Sequence, residues 1–360
     1  MEPCVPESLP LKSIDWATLV PLIASANAEV ALYRGILKGI RNPQVFLSPL
    51  TTKEAVLSSR IEGTEATLAE VLEYEAAKKG DEKHDIREII NYRHALDLAV
   101  EYLDKRPICL NLLRQLHYVL LDSVRGRDKA RGEFRKTQNY VGKPGSPIEE
   151  ASFVPPAPDK LMQYLSNLEK YIHYNEKDKL VQLAVVHAQF EIIHPFLDGN
   201  GRLGRIIIPV FMVEKKLLDT PTFYISAYLE ARRDEYGQRL HDITENNEWM
   251  EWITFFLTAV IEQAKENSQK ARAVRDLYED MKEQIASAIK SQYSVQVLDT
   301  VFERPYFDTM DFVSHSRIPR ASAIRILNEL KRQKIIEVLA KGKGRRPSMW
   351  VFRPLMDVVD

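Results

Sequence analysis

Cysteine is nearly absent: Cys4 and Cys109 are the only two in 360 residues. Two thiols so far apart exclude a disulfide-stapled scaffold and suit a reducing compartment. An excess of one charge sign is missing too. Fifty basic side chains face fifty-one acidic ones, a formal net charge of −1, which excludes a whole-molecule polyanion binder but not a single basic module. No apolar run is long enough to cross a bilayer; the longest, Ile206 to Val213, is far too short and contains Pro209. The opening MEPCVPESLPLKS has no basic stretch followed by an apolar one. A secretory signal is therefore not expected, and a soluble cytoplasmic protein without membrane partners is. Repeats and low-complexity tracts are lacking. What remains is ordinary for a globular chain, with 45% hydrophobic and 28% charged residues and length for two or three domains.

Helical periodicity dominates. Apolar residues at three- and four-residue spacing predict helices over 14–41, 51–79 (interrupted at Gly63), 86–104 and 109–124. Between 132 and 158 short alternating runs flank KPGSP, which predicts a β-hairpin leaving through a stiff Phe-Val-Pro-Pro exit. Helices resume at 158–174, 178–193, 202–217, 229–243 and 248–272, followed by a charged helical connector to 293. From Ser294 three short helical segments precede two strands around KGKGRRP, within 336–352. The implied order is an N-terminal helical region over 1–105, a central domain over 106–260, a connector over 261–293 and a C-terminal module over 294–360.

The stretch Glu191 to Arg205, EIIHPFLDGNGRLGR, is overfurnished for a connecting turn. The run before it, DKLVQLAVVHAQFEII, is apolar on almost every face and predicts a helix buried inside a bundle. Pro195 disfavours helix at His194, so that helix should stop there. Gly199 and Gly201 permit positive φ around Asn200, and a new helix should begin near Arg202. Backbone N–H groups at such a turn form an anion site, and Arg202 and Arg205 can fork onto phosphate oxygens. Asp198 supplies a hard oxygen suited to Mg²⁺ shared with phosphates, and His194 can accept a proton near neutral pH. These are parts of a nucleotidyl- or phosphoryl-transfer site. Gly199, Gly201 and Gly204 also satisfy G-x-G-x-x-G, but that fingerprint must follow a strand and here follows a helix; no Walker-type lysine is present either. A bland helical turn with solvated arginines would explain any one of these residues, not all five polar ones together.

The string from His194 to Arg205 resembles the signature H-x-F-x-[DE]-G-N-G-R-x-x-R of Fic domain proteins, with every fixed position filled. The resemblance extends over roughly 15–260 and implies a mainly α fold, a Fic-type helical bundle with a β-hairpin flap. It implies transfer of AMP from ATP to a Tyr, Thr or Ser hydroxyl of a target protein. By this resemblance His194 is the base, Asp198 holds Mg²⁺, and Gly199, Asn200, Gly201, Arg202, Leu203, Gly204 and Arg205 bind the nucleotide. Phe196 is implied to be packing that anchors the loop. The segment ARRDEYGQ, with Tyr236, resembles the adenine-pocket part of the family, although Gly237 stands where a second tyrosine is common. The hairpin resembles the family flap, with Asn139, Tyr140, Val141 and Gly142 placed to hold a target segment by strand addition; a hairpin that only covers the bundle is the plainer alternative. Other nucleotide-linked donors, such as UMP or phosphocholine donors, would use the same phosphate loop.

SSRIEGTE, residues 58–65, carries a second pattern. Ser58 and Glu62 are four apart and share a helical face, and Gly63 follows. On spacing alone Glu62 faces solvent. Ser58-x-x-x-Glu62-Gly63 nevertheless resembles the Fic inhibitory motif, in a helix over about 51–63. That resemblance implies that Glu62 captures Arg205 and keeps ATP out of a productive pose.

The C-terminal module reads as a winged helix. Over 290–353 it carries thirteen Lys/Arg against six Asp/Glu, concentrating positive charge in an otherwise neutral chain. Arg320, Arg325 and the wing residues Arg345 and Arg346 are candidates for phosphates of duplex DNA, with Ser322 nearer base edges. A winged helix that docks on protein is the alternative, and with it a DNA-binding regulator whose Fic core only senses nucleotide. A homodimer is common in the family, yet no exposed apolar stripe compels one.

Overall fold

The computed structural model describes residues 2–40, 43–77, 84–122, 130–142, 147–340, 342 and 347–360. The chain opens with an extended strap and then α1 (Trp16–Lys38), whose start is capped by Asp15, its carboxylate accepting the N–H groups of Ala17 and Thr18. There follow α2 (Pro43–Phe46), α3 (Ser48–Ile61), α4 (Leu68–Ala77), α5 (His84–Leu103) and α6 (Leu110–Leu120). After an irregular stretch come α7 (Leu161–Ile172), α8 (Lys179–Ile193), α9 (Asn200–Glu214), α10 (Ser226–Ala231), α11 (Arg233–Asn246) and α12 (Trp249–Ile289). The last part is α13 (Ser294–Glu303), β1 (Tyr306–Asp308), α14 (Thr309–Ser316), α15 (Arg320–Arg332), β2 (Glu337–Ala340), β3 (Met349–Val351) and α16 (Arg353–Val359). Its three strands form one antiparallel sheet in the order β1-β3-β2.

The axis of the bundle is α8, buried over almost its whole length. Its N-terminus is closed by Asp178, which accepts from the N–H groups of Leu180 and Val181 at 2.9 Å each and from Asn27 Nδ2 of α1 at 2.8 Å. Around α8 pack α1, α7, α9, α11 and α12, so a helix apolar on every face is matched by neighbours on every side. No helix among the described residues is long and apolar enough to cross a membrane.

Several elements differ from the sequence reading. The helix expected over 51–79 is two helices, because Gly63 takes φ +93° after Glu62 caps α3. Among the described residues of the hairpin expected over 132–158, strand pairing is limited to an antiparallel bridge between Val141 and Phe153, with a 3₁₀ turn at Ile148–Glu150. Pro147, Pro155 and Pro156 cannot donate to a ladder, and the polar groups of the segment bond inward to the bundle instead. The expected connector is not separate from the bundle: α12 runs through 260 without a break. Val274, Met281 and Ile285 bury its second half against the C-terminal part, so nothing ends the helix. The helix expected over 229–243 is broken at Arg232, between α10 and α11. The short β1 and the closing α16 carry no periodic signal of their own. Arg345, Arg346 and the tip of KPGSP lie outside the described residues.

Candidate active site

Pro195 ends α8 as expected, and His194 turns into the left-handed region at φ 48°, ψ 60°. A β-carbon is strained there, so the turn needs outside support. Arg135, buried within the irregular stretch, supplies it: its Nε donates to His194 O at 3.0 Å and its backbone N–H to Pro195 O at 2.9 Å. Asn139 Nδ2 donates to Phe196 O at 2.9 Å. Asn139 therefore turns inward and braces the loop, while its neighbours Tyr140, Val141 and Gly142 are exposed.

The loop is closed by Asn200. Its side chain accepts from Phe196 N at 2.9 Å and donates to Phe196 O at 2.8 Å. The Asn200 side chain thus holds the turn, and only backbone N–H groups in the first turn of α9 are left to point at an anion. Gly199, at φ +77°, is the N-cap, so α9 begins at Asn200 and not at Arg202. Phe196 is fully buried and stacks on His117, with ring centroids 3.8 Å apart. Because Gly132 N–H donates to His117 Nδ1 at 2.9 Å, the ring proton sits on Nε2, which donates to Asp198 O at 3.0 Å. Burial pushes His117 down to about 4, keeping it neutral.

The charged groups divide between two partners. Arg202 pairs with Glu88 of α5 at 3.0 Å and reaches Asp198 Oδ1 at 3.5 Å. Asp198 Oδ1 also accepts from Gly199 N at 2.6 Å, and its side chain is 42% exposed. Arg205 is fully enclosed: Nε donates to Ser58 Oγ at 2.8 Å, and Nη2 to Ser58 O at 2.8 Å and Glu62 Oε1 at 2.7 Å. So α3 delivers Ser58 and Glu62 onto the last arginine of the loop, across 143 residues of sequence. Gly201 makes the approach feasible, since a Cβ there would lie 2.3 Å from Glu62 Oε1. Burial by itself would raise the Glu62 carboxyl, but Arg205 outweighs it and holds the group below its ordinary value.

These groups line one cavity of about 690 Å³, which Glu62, Glu191, His194, Arg205 and Tyr236 share. Burial pushes His194 down to about 4, so its imidazole is neutral and able to accept a proton at pH 7. Tyr236 is buried and donates to His187 Nε2 at 2.9 Å, while His187 Nδ1 donates to Gly204 O at 3.2 Å. That chain ties the wall supplied by α11 to the start of α9. Leu203 packs into the core. Gly204 faces Glu191, not the cavity: a Cβ there would lie 2.0 Å from Glu191 Oε1.

Sequence reasoning did not assign His117, Arg135, Glu88, His187 or Glu191. Only Glu191 left a usable trace, as a lone acid in the last turn of an otherwise apolar buried helix. The others act through tertiary contacts that no spacing encodes. In the C-terminal part Arg320 and Arg325 are exposed on α15 and Ser322 is half-buried.

Residues 20–101 match the Fic/DOC family N-terminal model, and residues 107–212, which include the whole loop, match the Fic/DOC family model. The chain belongs to the Fic/DOC family. A Drosophila grimshawi protein named protein adenylyltransferase Fic is 32% identical over 167 residues, covering 42% of this chain and 31% of the relative. The Drosophila virilis protein of the same name is 31% identical over the same length. The Fic/DOC chain thus spans about a third of the length of the curated relatives it matches. Among solved structures, a Fic family protein from Desulfovibrio desulfuricans shares the fold over 98% of both chains, with a TM-score of 0.60 at 18% identity. Fic-1 from C. elegans matches over 72% of this chain with a TM-score of 0.51.

Proposed function

We propose that this protein is a protein adenylyltransferase held off in cis by its own α3, taking ATP as donor and the hydroxyl of a target protein as acceptor. The observation that carries this reading is the capture of Arg205 by Ser58 and Glu62 inside the cavity that also holds His194. A buried guanidinium with bidentate reach is the natural partner of a terminal phosphate, and here a carboxylate occupies that position. In the proposed reaction the His194 imidazole takes the proton of the attacking hydroxyl. The hydroxyl oxygen forms a bond to the α-phosphorus, and the bond to the leaving pyrophosphate breaks. Backbone N–H groups at the start of α9 and Arg202 steady the phosphates; Arg202 is already oriented by Glu88.

Mg²⁺ fits this site as a shared ion. Among the described residues no group of three or more His, Cys, Asp or Glu forms a metal cage, whereas Asp198 offers one half-exposed carboxylate next to the phosphate loop. One carboxylate plus substrate phosphates is how Mg²⁺ is commonly held, and there it would offset phosphate charge. Exposed Tyr140 and Val141 would receive the target segment. A cytoplasmic location agrees with the two free thiols.

The test is incubation of the full chain with labelled ATP and Mg²⁺. Glu62→Gly is expected to raise labelling of self or target at least tenfold over wild type, the scale of an oriented phosphate contact, and His194→Ala to abolish it in that background. Equal labelling by Glu62→Gly and wild type would remove the inhibitory assignment.

A second reading rests on the C-terminal part, whose helix and strand order and exposed Arg320 and Arg325 suit a winged helix on duplex DNA. In it the Fic core senses nucleotide and is catalytically silent. Salt-sensitive duplex binding with no labelling by Glu62→Gly would favour it.

A further inference from the structure

Glu191 is the one acid of α8, in a turn whose neighbours Phe190, Ile192 and Ile193 are buried. Its Oε1 is buried and has no hydrogen-bond partner among the described residues. The carboxyl occupies space that any side chain at position 204 would fill, so Gly204 and Glu191 are a matched pair. Burial pushes the group up to about 8, which explains how an acid is tolerated there but not why one is present. An apolar side chain would fill the same volume without an unpaired oxygen. None of the proposed tasks of the loop uses it.

Its place in the cavity suggests a task. The phosphate end is marked by the first turn of α9 and by Arg205, the base end by Tyr236 and Gly237 on α11. Glu191 lines the same cavity and is near enough to Arg205, Glu62 and Tyr236 to interact with each of them. A nucleotide with its phosphates at the first turn of α9 and its base against α11 would share this cavity with Glu191, and the sugar is its group that joins those two ends. Two vicinal hydroxyls each donate and accept, and a carboxyl can bond both, as two acceptors when ionised or as one donor and one acceptor when it keeps its proton.

We propose that Glu191 recognises the ribose hydroxyls of the nucleotide donor and makes the site selective for ribonucleotides over deoxynucleotides. This rests on the nucleotide-transfer reading above. Gly204 then serves the sugar indirectly, by leaving room for the carboxyl.

Binding of ATP, 2′-deoxy-ATP and 3′-deoxy-ATP to the full Glu62→Gly chain, measured by calorimetry, tests the proposal without relying on turnover. The parent is expected to bind ATP roughly tenfold more tightly than at least one deoxy analogue, the worth of one hydrogen bond to a buried polar group. Glu191→Leu should bring ATP down to the level of that analogue and leave the analogue's own affinity unchanged. Glu191→Gln, which keeps an acceptor, should lose only part of the preference and guards against misfolding of the leucine variant. If Glu191→Leu weakens all three nucleotides equally, or leaves the preference intact, the ribose assignment is overturned while the transfer reading stands. A parent that binds none of the three overturns both.

Discussion

Arg205 and Glu191 show how differently two buried charges are handled one cavity apart. Arg205 cannot shed its proton and is given a carboxylate and a serine; Glu191 Oε1 has no hydrogen-bond partner among the described residues, and the group keeps its proton instead. The second choice has a pH signature. The folded chain holds a proton on Glu191 up to about pH 8 that the unfolded chain loses near its ordinary value of 4.5, so this stability falls as pH rises through that window. The buried imidazoles act in the opposite sense. His117 and His194 titrate at about 4 when folded and 6.5 when unfolded, so stability falls as pH drops through that range. Melting temperature is therefore expected to decline on both sides of neutrality. Glu191→Gln should flatten the alkaline limb and, because the two windows overlap between 4.5 and 6.5 where Glu191 opposes the histidines, steepen the acid limb; a thermal melt series in matched buffers reads both. Of these groups, His194 and Arg205 were legible because the signature is local and gapless. His117 and Arg135 were not, because each acts on the loop from a distant element, and His187 was not, because its partners Gly204 and Tyr236 lie on later helices.

At the scale of elements, amphipathic and buried helices were readable from spacing, and α8 was readable from its lack of any polar face. The flap keeps antiparallel pairing only around Val141 and Phe153 among the described residues, because alternation says nothing about where other partners lie; the Arg135 backbone N–H and the Asn139 side chain turn to Pro195 and Phe196 instead. The connector was misread because a change in charge resembles a boundary, whereas α12 only exchanges one set of neighbours for another. This continuity has a measurable result. Ala273 is exposed on α12, so Ala273→Pro removes no core contact and acts on the helix itself. It should cost about 3 kcal/mol and split the thermal transition in two, against about 1 kcal/mol and one transition for Ala273→Gly. Scanning calorimetry distinguishes them; a single unshifted transition for the proline variant would contradict a continuous helix.

Across the whole molecule, α3 is gripped by the C-terminal part at three places. Just before it, Phe46 lies 4.9 Å from the Tyr278 ring and 6.1 Å from Phe302. Within it, Lys53 Nζ donates to Val359 O at 2.8 Å and Asp360 O at 2.9 Å, where the end of α16 is electronegative. Just after it, α4 packs on β1. A helix restrained from both flanks holds Glu62 on Arg205 more firmly than the ion pair alone would. Lys53→Met is accordingly expected to raise AMP labelling severalfold with Glu62 present, the scale of one lost charged hydrogen bond, and to have no effect beside Glu62→Gly. An equal gain in both backgrounds would mean that Lys53 acts elsewhere.

The burial of Arg205 has a further consequence. Once Glu62 withdraws, the protein is left with a permanent positive charge in an enclosed space, a vacancy that water fills poorly and an anion fills well. Glu191, freed from Glu62's repulsion and left with the cation's attraction, is drawn toward ionisation. On the proposed mechanism the open form is thus a state that nucleotide must help to create, and the Glu62 carboxylate doubles as the counterion of Arg205 in the empty protein.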